Sequence, residues 1–138
     1  MGTAENWQSR VINELKDFKK VVVFNPRRAD WDSSWKQDIN NPQFNQQVTW
    51  ELDALDRSEH IFMYFDPNTK SPISLLELGL YIQSRSHMIV CCPQGFWRKG
   101  NVDIVCKRHG CLLLDNLDKA IIMLKRQFDT KPKQELDL

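Results

Sequence analysis

Apolar residues recur along this chain with two different periods, and the alternation between them predicts its elements. From Ala4 to Phe18 the spacing is helical, with Trp7, Val11, Leu15 and Phe18 on one stripe. Lys20-Val21-Val22-Val23-Phe24 is short, continuously apolar and β-branched, the composition of a buried strand, and Asn25-Pro26 ends it. A long segment rich in Arg, Asp and Trp covers residues 27–42. Pro42 can open a helix that runs to about Ser58, with Phe44, Val48, Leu52 and Leu55 turned inward. Ile61–Phe65 reads as a strand and Asp66-Pro67-Asn68 as the turn after it. A helix from Pro72 to about Arg85, a strand at Met88–Cys92 and a Gly- and aromatic-containing loop at Pro93–Gly100 follow. Asn101 caps a short helix to about Arg108, Cys111–Leu114 is a strand, and Leu117–Phe128 closes as a helix. The tail from Asp129 is polar, a composition that favours disorder.

Continuously apolar strands alternating with helices predict an α/β fold, a parallel sheet with helices on both faces. In such sheets ligands sit outside the carboxyl ends of the strands. The segments that reach that edge are Asn25–Asp38, Asp66–Ser74 and Pro93–Asn101.

The chain has 138 residues, 41% hydrophobic and 27% charged, with a net charge of +1. This suits one soluble globular domain over residues 1–128, followed by the polar tail 129–138. The balanced charge gives no bulk attraction to nucleic acid or to an anionic membrane. No apolar run approaches bilayer length, the first residues do not form a secretory signal, and there is no Asn-x-Ser/Thr sequon. Four cysteines in a chain of this size do not make a disulfide scaffold, so a reducing, cytoplasmic location is expected.

The segment with most chemistry is Ser71-Pro72-Ile73-Ser74-Leu75-Leu76-Glu77-Leu78-Gly79-Leu80-Tyr81. A serine hydroxyl before a proline is a helix start, the hydroxyl capping free amides. The helix is apolar nearly all round and is expected to be buried, yet it carries Glu77. Positions 73, 74, 80 and 81 offer no cation to that carboxylate. A glutamate in an apolar wall has either a distant partner or a task. Glu51, three residues after Val48 and four before Leu55, lies near the inward stripe of its helix; it is a solvated-face residue or a partner for Glu77.

Asn25-Pro26-Arg27-Arg28 at a strand's end can hold a phosphate or carboxylate in guanidinium forks, or can tie down the following loop. Asp30-Trp31-Asp32 and Trp35 offer aromatic faces for stacking or for stapling that loop. Gly95-Phe96-Trp97-Arg98-Lys99-Gly100-Asn101 lacks both the P-loop and the dinucleotide glycine spacings. Cys106 and Cys111 flank His109 without a second ligand pair, and Cys91 and Cys92 point to opposite faces of a strand. No metal site, no cofactor and no cysteine nucleophile is expected.

Four stretches together resemble the nucleoside 2-deoxyribosyltransferase-like family: Val23-Phe24-Asn25-Pro26-Arg27-Arg28, Gln47-Val48-Thr49-Trp50-Glu51, Ser71 to Leu80, and Gly95 to Val102. They span about residues 2 to 125. The resemblance implies a flavodoxin-like parallel sheet and cleavage of the N-glycosidic bond of 2-deoxyribonucleosides or their 5′-monophosphates, with the sugar passed to another base or to water. It implies that Glu77, in a Glu-Leu-Gly motif, is the nucleophile, and that Glu51 helps protonate the leaving base or position the sugar. Ser71 matches a position that contacts the 5′ end of the substrate in relatives that cleave monophosphates. Asn25, Arg27, Arg28, Trp50 and Asn101 are the further substrate-binding candidates, with Tyr81 a pocket wall. The implied partners are a small deoxynucleoside or deoxynucleotide and further copies of the chain, since relatives are dimers or larger.

The chain departs from the family at its start. Relatives begin with a strand and a Gly-Ser-Ile-like turn before the helix of Trp7, whereas Met1-Gly2-Thr3 stands just past that turn. The expectation is therefore a flavodoxin-like sheet lacking the family's first strand, with four strands in place of five. Ser58-Glu59-His60 replaces the Ala-Asp usual before the next strand. The chemistry that follows is the retaining two-carboxylate logic, which wants the pair about 5 Å apart. A position in the second helical turn favours an ionised Glu77 while apolar neighbours oppose it, and it is expected to be largely anionic near neutrality. The alternatives are a non-catalytic nucleotide-binding or regulatory module, or an inactive shortened family member.

Overall fold

The computed structural model describes residues 6–27, 34–84 and 87–129. Five helices and three strands follow in the order α1 (Trp7–Leu15), α2 (Pro42–Arg57), β1 (His60–Tyr64), α3 (Pro72–Tyr81), β2 (His87–Cys91), α4 (Lys99–Arg108), β3 (Leu112–Leu114) and α5 (Leu117–Phe128). The strands form one parallel sheet in the order β1-β2-β3, with His60 opposite His87 and Ile89 opposite Leu112. Parallel pairing requires crossovers, and α3 and α4 supply them.

The pleat of the strands divides the core in two. Ile61, Met63, Met88, Val90 and Cys92 face Leu78, Phe96, Val102 and Cys106, on the side of α3 and α4. Ile89 and Cys91, with Phe62 and Tyr64, face Val11, Leu15, Ala120, Ile121 and Leu124 of α1 and α5. The adjacent Cys91 and Cys92 do fall on opposite faces. This is the flavodoxin-like α/β arrangement expected from the alternating pattern. Local chemistry sets the helix starts: Asn6, Asn41 and Asn116 each accept from the backbone N–H three residues on, at 3.0–3.1 Å.

Four expectations are corrected. Lys20–Phe24 is not a strand: Val22 is 79% exposed, Val23 and Phe24 are about half so, and the described residues place no strand beside the free edge of β1. A strand exists only through its neighbour's backbone, and the described residues offer these valines none at that edge. The sheet accordingly has three strands among the described residues rather than four. The inward stripe of α2 is also rotated: Gln47 and Ala54 are its buried positions, while Phe44, Val48, Leu52 and Leu55 are only half-buried.

Helix α3 is not buried all round. Leu78 alone is buried there, and Ile73, Leu76 and Leu80 are 58–59% exposed. Asn101 is not a cap; α4 begins at Lys99, so Asn101 lies in its first turn with an exposed side chain. Thr130–Leu138, the greater part of the polar tail, lies outside the described residues, as do Arg28 and Asp30-Trp31-Asp32; Trp35 is half-buried. No helix among the described residues is long and apolar enough to cross a membrane.

Candidate active site

At the carboxyl edge of β1 the chain turns through Asp66–Ser71 into α3, and side chains hold that turn. Asp66, 6% exposed, accepts from the Asn68 N–H at 2.8 Å, an Asx turn, and its carbonyl accepts from the Thr69 hydroxyl at 3.0 Å. The Thr69 and Ser71 hydroxyls are 2.7 Å apart in a hydrogen bond. Ser71 is the N-cap residue, but its hydroxyl caps no amide: it sits in the left-handed region, φ 46° and ψ 51°. That conformation is costly for a residue other than Gly and turns the side chain away from the helix amides.

The β2–α4 loop packs against this turn. Phe96 lies on Phe65, ring centroids 5.1 Å apart, and the Trp97 indole N–H donates to the Lys70 carbonyl at 2.8 Å. Lys70 and Arg98 both stand over the Trp97 ring. The Lys99 ammonium closes the loop by donating to the Cys92 carbonyl at 2.8 Å and to Asp103 at 3.1 Å.

Glu77 stands in the second turn of α3, half-buried, with no hydrogen bond or ion pair among the described residues. Burial first, and then the charge of Glu51, push its carboxyl up to about 7. The expectation of a largely anionic Glu77 near neutrality is corrected accordingly; a group titrating there is about half protonated at pH 7. Glu51 is half-buried on α2 and its carboxyl is also raised by burial, a shift opposed by a hydrogen bond from the Gln47 side-chain amide at 3.1 Å. Two carboxyls, each short of water, thus stand close enough for the charge of Glu51 to act on Glu77.

Gln47 was not singled out by the sequence pattern. Its amide also donates to the Pro26 carbonyl at 3.4 Å, so it joins the Asn25–Arg27 segment to the helix of Glu51. The one signal for it was its place in Gln47-Val48-Thr49-Trp50-Glu51, a turn before the acid. Asn25 accepts from the Arg27 N–H at 3.0 Å, and Trp50 meets Phe24 edge-on at 6.3 Å. Asn25, Arg27 and Trp50 are thus tied to α2 near Glu51. No hydrogen bond or ion pair among the described residues links Asn101 to either carboxylate.

Tyr81 is elsewhere. It donates to the Asp56 carboxylate at 2.6 Å and lines an open cleft of ≈ 370 Å³ with Leu55, Ser58, Glu59, Ser84 and His87. That cleft lies at the amino edge of the strands and contains neither Glu51 nor Glu77. Among the described residues no three His, Cys, Asp or Glu side chains gather as a metal site.

The sequence profile of a family described as "Nucleoside 2-deoxyribosyltransferase like" matches residues 1–96, which covers β1, α3 and both carboxylates. No curated protein matches the chain.

Proposed function

The chain belongs to the nucleoside 2-deoxyribosyltransferase-like family, and on that footing we propose that it cleaves the N-glycosidic bond of 2-deoxyribonucleosides or their 5′-monophosphates through a deoxyribosyl-Glu77 intermediate. The supporting observation is the pair itself: a half-buried Glu77 without a hydrogen-bond partner among the described residues, raised by its burial and then by the nearby charge of Glu51. A retaining displacement needs two carboxyls, one ionised to attack and one protonated to donate.

In the first step a Glu77 oxygen bonds to the anomeric carbon as the carbon–nitrogen bond breaks. The departing base takes the proton from Glu51. The positive charge that develops on the sugar as the carbon–nitrogen bond breaks is stabilised by the Glu77 carboxylate. In the second step a free base or water attacks the same carbon, Glu77 leaves, and Glu51 recovers the proton. Ser71 at the start of α3, with Asn25, Arg27 and Arg28, is the proposed ground for the 5′ end; guanidinium groups and a positive helix end both suit a phosphate. Trp50 and Asn101 are kept as substrate contacts on the family resemblance.

Incubation with a deoxynucleoside, with and without a second free base, tests this reading. A new nucleoside identifies a transferase, and free deoxyribose alone a hydrolase. No release of base, together with nucleoside affinity that survives Glu77→Ala, makes the chain a non-catalytic binding module instead.

We further propose a homo-oligomer. Ile73, Leu76 and Leu80 recur at helical spacing along one exposed side of α3, beside the residue that carries the chemistry. A reducing, cytoplasmic location is supported by four free cysteines, three of them buried.

A further inference from the structure

Helix α4 ends in a turn that brings two cysteines together. The Gly110 N–H donates to the Lys107 carbonyl at 3.3 Å, and the Cys111 N–H reaches back five residues to the Cys106 carbonyl at 2.9 Å. Gly110 supplies the left-handed residue, with φ 64°. This is the Schellman ending, in which the side chains of the third-last helical residue and of the second residue past the cap come into contact. Here both are cysteines. The nearness of the two thiols raises Cys106 and lowers Cys111 from their ordinary values. The Cys111 thiol also lies 3.6 Å from the Met88 carbonyl and 3.7 Å from that of Leu112.

We propose that Cys106 and Cys111 form an intramolecular disulfide by exchange with a small-molecule disulfide. Nothing in the proposed transfer reaction uses either thiol, and the inference does not depend on that reaction. Three features of the turn support it. The 2.9 Å backbone bond and standard bond lengths hold the two Cα atoms within about 6.8 Å, inside the range of about 4.4–6.8 Å that a disulfide spans. In this ending the two side chains meet across the turn, so no change of element is needed. They also differ in access, Cys106 being fully buried and Cys111 half-buried.

That difference sets the order of events. The Cys111 thiolate attacks a sulfur of the incoming disulfide, forming a mixed disulfide and expelling one small thiolate. Cys106 then loses its proton and attacks the Cys111 sulfur, expelling the second. Two protein thiols are oxidised and one small disulfide is reduced to two thiols. Cys91 and Cys92 take no part: both are fully buried in the sheet, and burial pushes their thiols up to about 12 and about 11.

Oxidised glutathione applied to the folded, full chain tests this, read by thiol titration and by tryptic mapping without reductant. Lys107 and Arg108 lie between the two cysteines, so trypsin cuts inside the loop and the disulfide appears as two joined peptides. The expected result is loss of two of the four thiols, joined Cys106 and Cys111 peptides, and full reversal by dithiothreitol. Cys106→Ser should arrest at a stable glutathione adduct on Cys111, and Cys111→Ser should leave all remaining thiols free. If Cys106→Ser fails to fold, the wild-type map and Cys111→Ser still decide. Four free thiols after treatment, a lasting adduct on wild-type Cys111, or a link to Cys91 or Cys92 overturns the proposal.

Discussion

Gln47 donates its side-chain amide to the Glu51 carboxylate at 3.1 Å, one helical turn away, while being itself almost wholly buried. The bond favours the ionised form of an acid that burial otherwise raises. Gln47→Ala therefore has a signed consequence: the Glu51 carboxyl titrates higher. If Glu51 is the acid that protonates the base, the alkaline fall of kcat/KM moves to higher pH, and the rate drops by roughly tenfold as Glu51 loses its orientation. Loss of the buried bonds should also cost about 1–2 kcal/mol of stability, readable by urea denaturation. A pH profile that does not move would detach Gln47 from the site.

The position of Glu77 makes stability depend on pH with an unusual sign for a carboxylate. Its folded pKa, pushed up to about 7, lies above the ordinary 4.5, so the folded chain holds the proton more tightly than the unfolded chain. The stability it contributes is fully present below the unfolded value and is lost as pH rises through about 7. Glu77→Gln should match the parent at about pH 4 and exceed it by on the order of 2 kcal/mol near pH 8. Equal stability of the two proteins at about pH 8 would mean that the carboxylate is better solvated than its surroundings indicate.

Activity should respond in the opposite direction. Attack requires ionised Glu77, so kcat/KM in the free protein should rise with pH through about 7. A profile already flat from about pH 5 would contradict the coupling of the two acids.

Ser71 holds a left-handed backbone that glycine adopts freely. Ser71→Gly should relieve that strain and lose only one hydroxyl–hydroxyl bond to Thr69, for a net gain of about 0.5 kcal/mol and a melting temperature about 1–4 °C higher. The same change should raise KM for a deoxynucleoside 5′-monophosphate by several-fold and leave the unphosphorylated nucleoside unaffected. Equal effects on both substrates would remove Ser71 from the 5′ end.

The exposed stripe of α3 gives a solution test. Leu76 and Leu80 are more than half exposed, so Leu76→Glu with Leu80→Lys should leave the fold intact. If α3 joins copies of the chain, the double variant should sediment as a monomer where the parent does not. A parent that is monomeric at tens of micromolar would end the homo-oligomer proposal.

The element order of this protein was legible because most of its signals are local. Proline after Ser71 and Asn41, and runs such as Met88–Cys92, each declare themselves within a few residues. What was not legible depends on partners far away in sequence. Lys20–Phe24 has strand composition, but pairing is a property of the neighbour, and the described residues supply none. Apolarity all round α3 reads as burial, yet a helix on a sheet buries one side, and Ile73, Leu76 and Leu80 are on the other. The two acids were findable as residues out of place in apolar stripes. Their mutual influence was not, because it arises from the packing of α2 beside α3, and neither was the cleft at the amino edge that Tyr81 lines.

The central claim is that the sugar is carried on Glu77. Rapid acid quench during turnover of a 2-deoxyribonucleoside, followed by peptide mass mapping, measures it directly. A deoxyribosyl adduct is expected on the peptide containing Glu77 and not in Glu77→Gln, whose base release falls by about a thousandfold or more. A Glu77→Gln protein that releases base at the parent rate, or an adduct on any other residue, would contradict it.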